Sequence, residues 1–390
     1  MPVYLDHAAT TALSPNAVDA MTRARHLTGN PSSLHSAGRA ARAMAEDARE
    51  QIAYCLGASA ADVVLTAGAT EADNLAVIGL YRARRAADAR RRLLIVSPTE
   101  HHAVLDVVDY LVAHEAAEVH WLAIDAHGVV NVADLHQALA AADGSLPALV
   151  AVMSANNETG TRQPLHEIAQ LCADFDVPWH CDAVQSAAWE RLAFTALGCA
   201  TMAVSAHKVG GPVGVGALLI RSAVVVSPIS YGGGQERKVR SGTINTAAAV
   251  GFAAALADRV SHIDSGMPSR VRELRTGLTS RICELDPTAV INGGEDVLPS
   301  ILNVTFPGCD ADALLMLLDA QGIACSLGAA CTAGVPEPSH VLLAMGATQE
   351  DASASLRFSF GADSTMSDVD AVIAALPSAL AKAHAAVMAR

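Results

Sequence analysis

The sequence predicts an α/β fold on a mostly parallel, seven-stranded sheet, followed by a smaller α+β domain. Three observations carry this. Short, continuous apolar runs rich in β-branched residues recur up to about residue 221, the pattern of strands buried on both faces. Stretches of helical periodicity lie between several of them, as crossover connections require. Beyond residue 243 the pattern changes to alternating helix and strand signals opened by a charged helix.

The strand candidates are DVVLT (62–66), LLIVS (93–97), VHWLAI (119–124), ALVAVMS (148–154), VPWHCD (177–182), MAVSA (202–206) and VGALLI (215–220). Between the first two, EADNLAVIGLYRARR (71–85) ends on arginines, which complement a helix C-terminus. In HEIAQLCADF (166–175) the residues Ile168, Leu171, Cys172 and Phe175 share one helical face. The last two runs are joined only by HKVGGPVG (207–214), too short for a crossover helix, so one strand runs antiparallel. After YGGGQERKVRSGT (231–243) an Ala-rich helix over roughly 245–258 leads away from the sheet. A helix at 269–285, strand-like ILNVTF (301–306), helix ADALLMLLDAQ (311–321), strand-like GIACSLG (322–328), helix HVLLAMG (340–346) and strand-like SLRFSFG (355–361) complete the chain. The division predicted is a large domain of 15–257 and a small one made of 1–14 with 258–390.

Composition bounds the function. At 390 residues there is length for two domains and a large core. Apolar residues make up 52% but aromatics only 4%, so the core must be built from Ala, Val, Leu and Ile. No apolar run reaches the length of a membrane span. The start, MPVYLDHAATT, carries Asp6 and no basic region ahead of an apolar stretch, unlike a secretory signal. A net charge of −14 argues against direct nucleic-acid binding, which needs a positive field. Eight cysteines, at 55, 172, 181, 199, 283, 309, 325 and 331, form no C-x-x-C pair and no zinc-like spacing. The expectation is a cytoplasmic protein with reduced thiols and no resident metal, most of its cysteines being small core residues.

The polar residues are informative by position. Thr66 runs into GATE; Thr99, Glu100 and His101 follow the second run; Asn156, Asn157 and Glu158 follow the fourth; Asp182 and Gln185 end the fifth; Ser205, His207 and Lys208 follow the sixth. In open α/β sheets a ligand lies outside the carboxyl ends of the strands. Each group has an ordinary reading alone: Thr70 as a helix cap, Asp182 as a turn aspartate, Lys208 as a solvated lysine. Together they supply a phosphate cradle at a helix N-terminus, a carboxylate for a ring nitrogen and an amine for a Schiff base. Pyridoxal 5'-phosphate needs these three groups.

The sequence resembles the cysteine desulfurases of the NifS/IscS type, within the class V aminotransferase-like fold (fold type I of the pyridoxal phosphate transferases). The resemblance runs through YLDHAATT (4–11), GNPSSLHSAGR (29–39), GATEADN (68–74), TEHHAVL (99–105), NNETG (156–160), HCDAVQ (180–185), SAHKVGGPVGVGAL (205–218), GGGQERKVRSGT (232–243), ACTAGVPEPSHVL (330–342) and SLRFSFG (355–361). It implies that Lys208 binds the cofactor's aldehyde carbon, Asp182 pairs with its ring nitrogen, Gln185 with its ring hydroxyl, and His101 stacks on the ring and moves protons. Ala69, Thr70, Ser205 and His207 would hold the phosphate, with Thr243 reaching it from the partner subunit of a homodimer. Asn157 and Arg357 would place the substrate carboxylate. His35 and His102 receive no role.

By the same resemblance Cys331 is the nucleophile that takes sulfur from L-cysteine, leaving L-alanine and a persulfide for a protein acceptor such as an iron–sulfur scaffold or a thiolation enzyme. Transient ligation of an iron–sulfur cluster by Cys331 stays open. The stretch CSLGAACTAGVPEPSH (325–340) fits a thiol that must travel: small residues and Gly334 surround it, and Pro336 and Pro338 anchor the far end. Cys325 is expected in the core. Leu327, Ala329 and Ala333 replace serines frequent in the family, and Gln235 stands where a histidine is common. Two alternatives remain at this level: a selenocysteine lyase, and an aminotransferase in which Cys331 is dispensable.

Overall fold

Seven strands form one sheet whose order follows directly from the apolar runs. The computed structural model describes residues 2–141, 144–328 and 337–388. Within these the strands are β1 (Val3–Tyr4), β2 (Val63–Thr66), β3 (Arg91–Val96), β4 (Glu118–Trp121), β5 (Leu146–Ala151), β6 (Trp179–Asp182), β7 (Thr201–Ser205), β8 (Gly216–Ile220), β9 (Val290–Asn292), β10 (Ile301–Thr305), β11 (Ile323–Ala324) and β12 (Ser355–Ser359). The large sheet has the order β2-β8-β7-β6-β5-β3-β4. β8 is antiparallel to both its neighbours, and the remaining pairs are parallel. The short 207–214 connection therefore does what its length dictates. Every predicted strand of this sheet is present, but 119–124 is trimmed to Glu118–Trp121. That strand is the sheet edge, where fewer neighbours hold the ends in register.

Both faces of the sheet are covered. On one, Val64, Leu94, Val96, Leu149, Ala203 and Leu218 pack against helices Ala69–Ala87 and His102–Glu115. On the other, Val63, Leu65, Ile95, Val150, Cys181 and Met202 belong to a second core that continues into the C-terminal part of the chain. The buried residues there are mostly aliphatic, as the low aromatic content requires. Six of the seven described cysteines are buried; Cys283 is exposed.

The C-terminal part carries an antiparallel sheet ordered β12-β10-β9 and the parallel pair β1–β11. Helices Met267–Leu285, Ala311–Asp319 and Met366–Met388 accompany it. The strand expected over 322–328 is paired only at Ile323–Ala324, because its partner β1 ends at Tyr4. There the chain turns towards β12: Leu5 N donates to Ala324 O, and Ser359 N donates to Leu5 O. Ser326 then makes a single bridge with Arg357. The Ala-rich helix runs further than its composition indicated, over Thr246–Asp264. His35 caps helix Ser36–Cys55, its Nδ1 accepting from Gly38 N at 3.2 Å.

Candidate active site

The carboxyl ends of β5, β6 and β7 and the start of helix Ala69–Ala87 open on a cavity of about 640 Å³. β12 and the end of the β11 segment form its opposite wall, through Arg357, Ser326 and Gly328. Parallel pairing explains the convergence. Asp182 is in register with Ala203, so β6 and β7 deliver Asp182 and Ser205 to the same edge.

Lys208 closes the short turn Ala206–Lys208 after β7. Its Nζ donates to the carbonyl oxygens of Ala8 at 2.5 Å and Ala9 at 2.8 Å. Burial, aided by the nearby Arg357 charge, pushes its amine down to about 8, against the pull of Asp182 and Asp6. Near neutral pH a usable fraction of the amine is therefore unprotonated. Asp182 ends β6 almost fully buried, and its Oδ1 accepts from Val184 N at 2.9 Å. Burial raises it to about 6, while Val184 N–H and Lys208 favour the ionised form. Gln185 donates from Nε2 to Ala8 O at 3.0 Å.

His101 is the N-cap of helix His102–Glu115, its Nδ1 accepting from Ala103 N at 3.1 Å. That bond places the neutral ring's proton on Nε2. Burial and then Lys208 hold the ring near 4, neutral at physiological pH. His207 is held near 4 for the same two reasons, its Nδ1 3.3 Å from Thr10 Oγ1. His102 instead pairs with Asp106 at 3.1 Å and sets its ring edge-on to His340.

Ala69 and Thr70 open a 19-residue helix whose N-cap is Gly68, with no side-chain cap. A Cβ on Gly68 would meet nothing within 4 Å, so this turn faces open space in the cavity. The uncapped first-turn N–H groups, Thr70, Ser205 and His207 fit a phosphate. Glu71, also in the first turn, is engaged elsewhere: Ala67 N and Arg240 Nε donate to its carboxylate. Arg357 lies mid-strand in β12, its Nη1 donating to Asn157 O at 2.9 Å and its Nη2 to Asp6 Oδ1 at 2.8 Å.

Two expected participants are not among the described residues that line this chain's cavity. Cys331 lies outside the described residues; Gly328 before it and His340 after it both line the cavity. Thr243 is exposed and does not line its own chain's cavity. Its segment is tied elsewhere: Arg49 donates to both oxygens of the buried Glu236, and so does Leu65 N to one of them.

Several groups at the site received no role from the sequence. Asp6 pairs with Arg357. Glu158, buried at the cavity wall, accepts from Ser339 Oγ at 2.5 Å. Beneath Asp182 lies a buried pair, His180 Nε2 and Asp73 Oδ1, at 3.1 Å. Glu100 is buried beside the same group, and burial followed by the Asp182 charge raises it to about 8. The period-2 alternation of His180 with Asp182 on β6 was the one available signal, since it puts both on one face. No group of three or more potential metal ligands occurs among the described residues.

The profile of the family described as "Aminotransferase class-V" matches residues 3–372. The chain is 49% identical to an "IscS-like cysteine desulfurase" of Mycobacterium tuberculosis, over 99% of this chain and 98% of that protein. It is 35% identical to a "Cysteine desulfurase IscS" of Dictyoglomus turgidum, over 94% and 92% respectively. Among solved structures, a "NIFS-like protein" superposes with a TM-score of 0.89 at 32% identity, covering 98% of this chain and all of that one.

Proposed function

The chain belongs to the class-V aminotransferase family and is a cysteine desulfurase, and on that premise we propose how its own residues carry the reaction. L-cysteine enters the cavity, L-alanine leaves it, and the sulfur stays as a persulfide on Cys331. The observation that carries the assignment is one cavity holding a buried amine of lowered pKa, Lys208, and a buried carboxylate, Asp182. Both flanks of the Cys331 segment line that same cavity.

Pyridoxal 5'-phosphate bound there supplies an electron sink for the charge left when the substrate's Cα proton is removed. The residues fit it. Gly68–Thr70, Ser205 and His207 would hold the phosphate, Asp182 would meet the ring nitrogen and Gln185 the ring hydroxyl, and Lys208 would supply the amine for the aldehyde carbon. Arg357 and Asn157 orient the substrate carboxylate. Lys208, with an amine that deprotonates near pH 8, and His101, neutral with Nε2–H, are the groups that hold and move the Cα proton. Cys331, as thiolate, attacks the substrate sulfur. An S–S bond forms as the Cβ–S bond breaks and its electron pair stays on carbon; one proton delivered to Cβ and one returned to Cα complete L-alanine. No external reductant enters.

The same reading includes a homodimer in which Thr243 serves the partner's phosphate, a division of the chain into 15–257 and 1–14 with 258–390, a cytoplasmic location, and delivery of sulfur to iron–sulfur cluster assembly or thiolation. The exposure of Thr243 supports the first, and the separate sheets support the second. The deciding experiment is mass spectrometry of the Cys331 peptide after incubation with L-cysteine. One added sulfur is expected, together with loss of L-alanine formation in Cys331→Ala. Undiminished L-alanine formation by that variant overturns the assignment.

A further inference from the structure

The motif YLDHAATT is left without a role by the reaction above, yet its residues hold four groups of the site. Lys208 Nζ donates to Ala8 O and Ala9 O, and Gln185 Nε2 to Ala8 O. His207 Nδ1 faces Thr10 Oγ1. Arg357 Nη2 donates to Asp6 Oδ1. The segment is itself fixed to β12, where Ser359 N donates to Leu5 O, His7 N to Ser359 O, and Ala8 N to Ser359 Oγ.

Asp6 stands out within it. It is the one carboxylate paired with Arg357 among the described residues. The Arg357 side chain is only 5% exposed, so its guanidinium is committed to the cavity wall. Each terminal nitrogen makes one bond, Nη2 to Asp6 and Nη1 to Asn157 O. One N–H on each is left over, and two parallel N–H groups are what a carboxylate accepts from arginine. An arginine side chain otherwise loses much rotamer freedom on binding, and fixing it beforehand removes that cost from the binding step.

We infer that Asp6 is a positioning residue for substrate recognition: its ion pair sets the plane of Arg357 before the amino acid arrives. The inference rests on Arg357 as the anchor of the substrate carboxylate. It makes Asp6 matter for ligands that carry a carboxylate and not for simple amines.

The test uses the holoenzyme and two non-reacting probes, L-alanine and ethylamine, their binding followed by the cofactor's absorbance. In Asp6→Ala, L-alanine should bind about tenfold more weakly, the effect of one misplaced charge-assisted pair, with ethylamine unchanged within about twofold. KM for L-cysteine should rise about tenfold while kcat moves less than about threefold, since binding alone is lost. Asp6→Asn keeps an acceptor oxygen for Nη2 and should fall between wild type and Asp6→Ala; it also serves if the alanine variant fails to fold. In an Arg357→Ala background Asp6→Ala should add no further loss for L-alanine. Equal weakening of both probes, or of neither, overturns the inference. If Arg357→Ala itself leaves L-alanine binding intact, the carboxylate anchor is wrong. Failure of the desulfurase reading would appear separately, as wild type making no L-alanine from L-cysteine.

Discussion

Lys208 is the residue at which sequence and environment diverge most. In sequence it is a lysine before a glycine turn; in the structure burial brings its amine down to about 8. The neutral amine is the form that attacks an aldehyde. The rate at which apoprotein takes up pyridoxal 5'-phosphate should therefore rise with pH from 6.5, level off above about 8, and be checked by stopped-flow absorbance. A rate independent of pH across that window would contradict the lowered pKa. Asp182, Gln185, Ser205, His101 and Asn157 were legible because each follows or ends an apolar strand, and strand ends in such a sheet meet at one edge. Asp6 was not, and Glu158 was placed at a strand end without its partner. Their partners, Arg357 and Ser339, lie 351 and 181 residues away, and no local period connects such pairs. His35 received no role from the sequence and is a helix cap.

At the scale of elements, the segment 231–243 illustrates how a motif can be structural. Glu236 has no exposed side-chain surface and receives both a bidentate pair from Arg49 and the N–H of Leu65. It thereby ties that segment to helix Ser36–Cys55 and to β2 at once. Glu236→Ala would leave the buried Arg49 guanidinium only the half-exposed Glu46, 3.1 Å from its Nε, as counter-charge, and should lower stability by about 3 kcal/mol, the low end for a broken buried pair. Thermal or urea unfolding of the variant measures this; a change below about 1 kcal/mol would show that the pair is replaceable. Strands were easier to read than helices. Apolar runs such as MAVSA have few alternatives, whereas the buried face of helix Ser36–Cys55 is built mostly of alanines, Ala41, Ala45 and Ala48 among them, which carry little apolar signal. The strand at 322–328 was overread because sequence shows apolar character and not the length of the partner strand.

For the whole molecule, the position of Thr243 carries the main consequence. It is exposed and absent from its own cavity, while the proposed site needs it at a phosphate. On that proposal each site would be assembled from two chains. Lys208→Ala and Thr243→Ala subunits should each be inactive or weak alone. Mixed in one dimer, they leave one site with both Lys208 and Thr243 intact, so co-expression should restore activity above either parent. Absence of complementation in dimers proven to be hybrid would place Thr243 outside the partner's site. Assembly of this kind is invisible in a single sequence, where the resemblance alone suggested it.

The bond between Asp6 and Arg357 also sets an order in time. In the order of synthesis Asp6 precedes its partner by 351 positions. β1 likewise waits for β11, and β2 for β8. Contacts of such separation form late, since the closure of a long loop precedes any reward from the contact. The N-terminal strap that fixes Lys208, Gln185 and Arg357 thus stays without a seat until β12 has left the ribosome. A nascent or truncated chain can own nearly every motif of the site and still have no site. The hold of Asp6 on Arg357 exists only once β12 is made and meets the N-terminal strap.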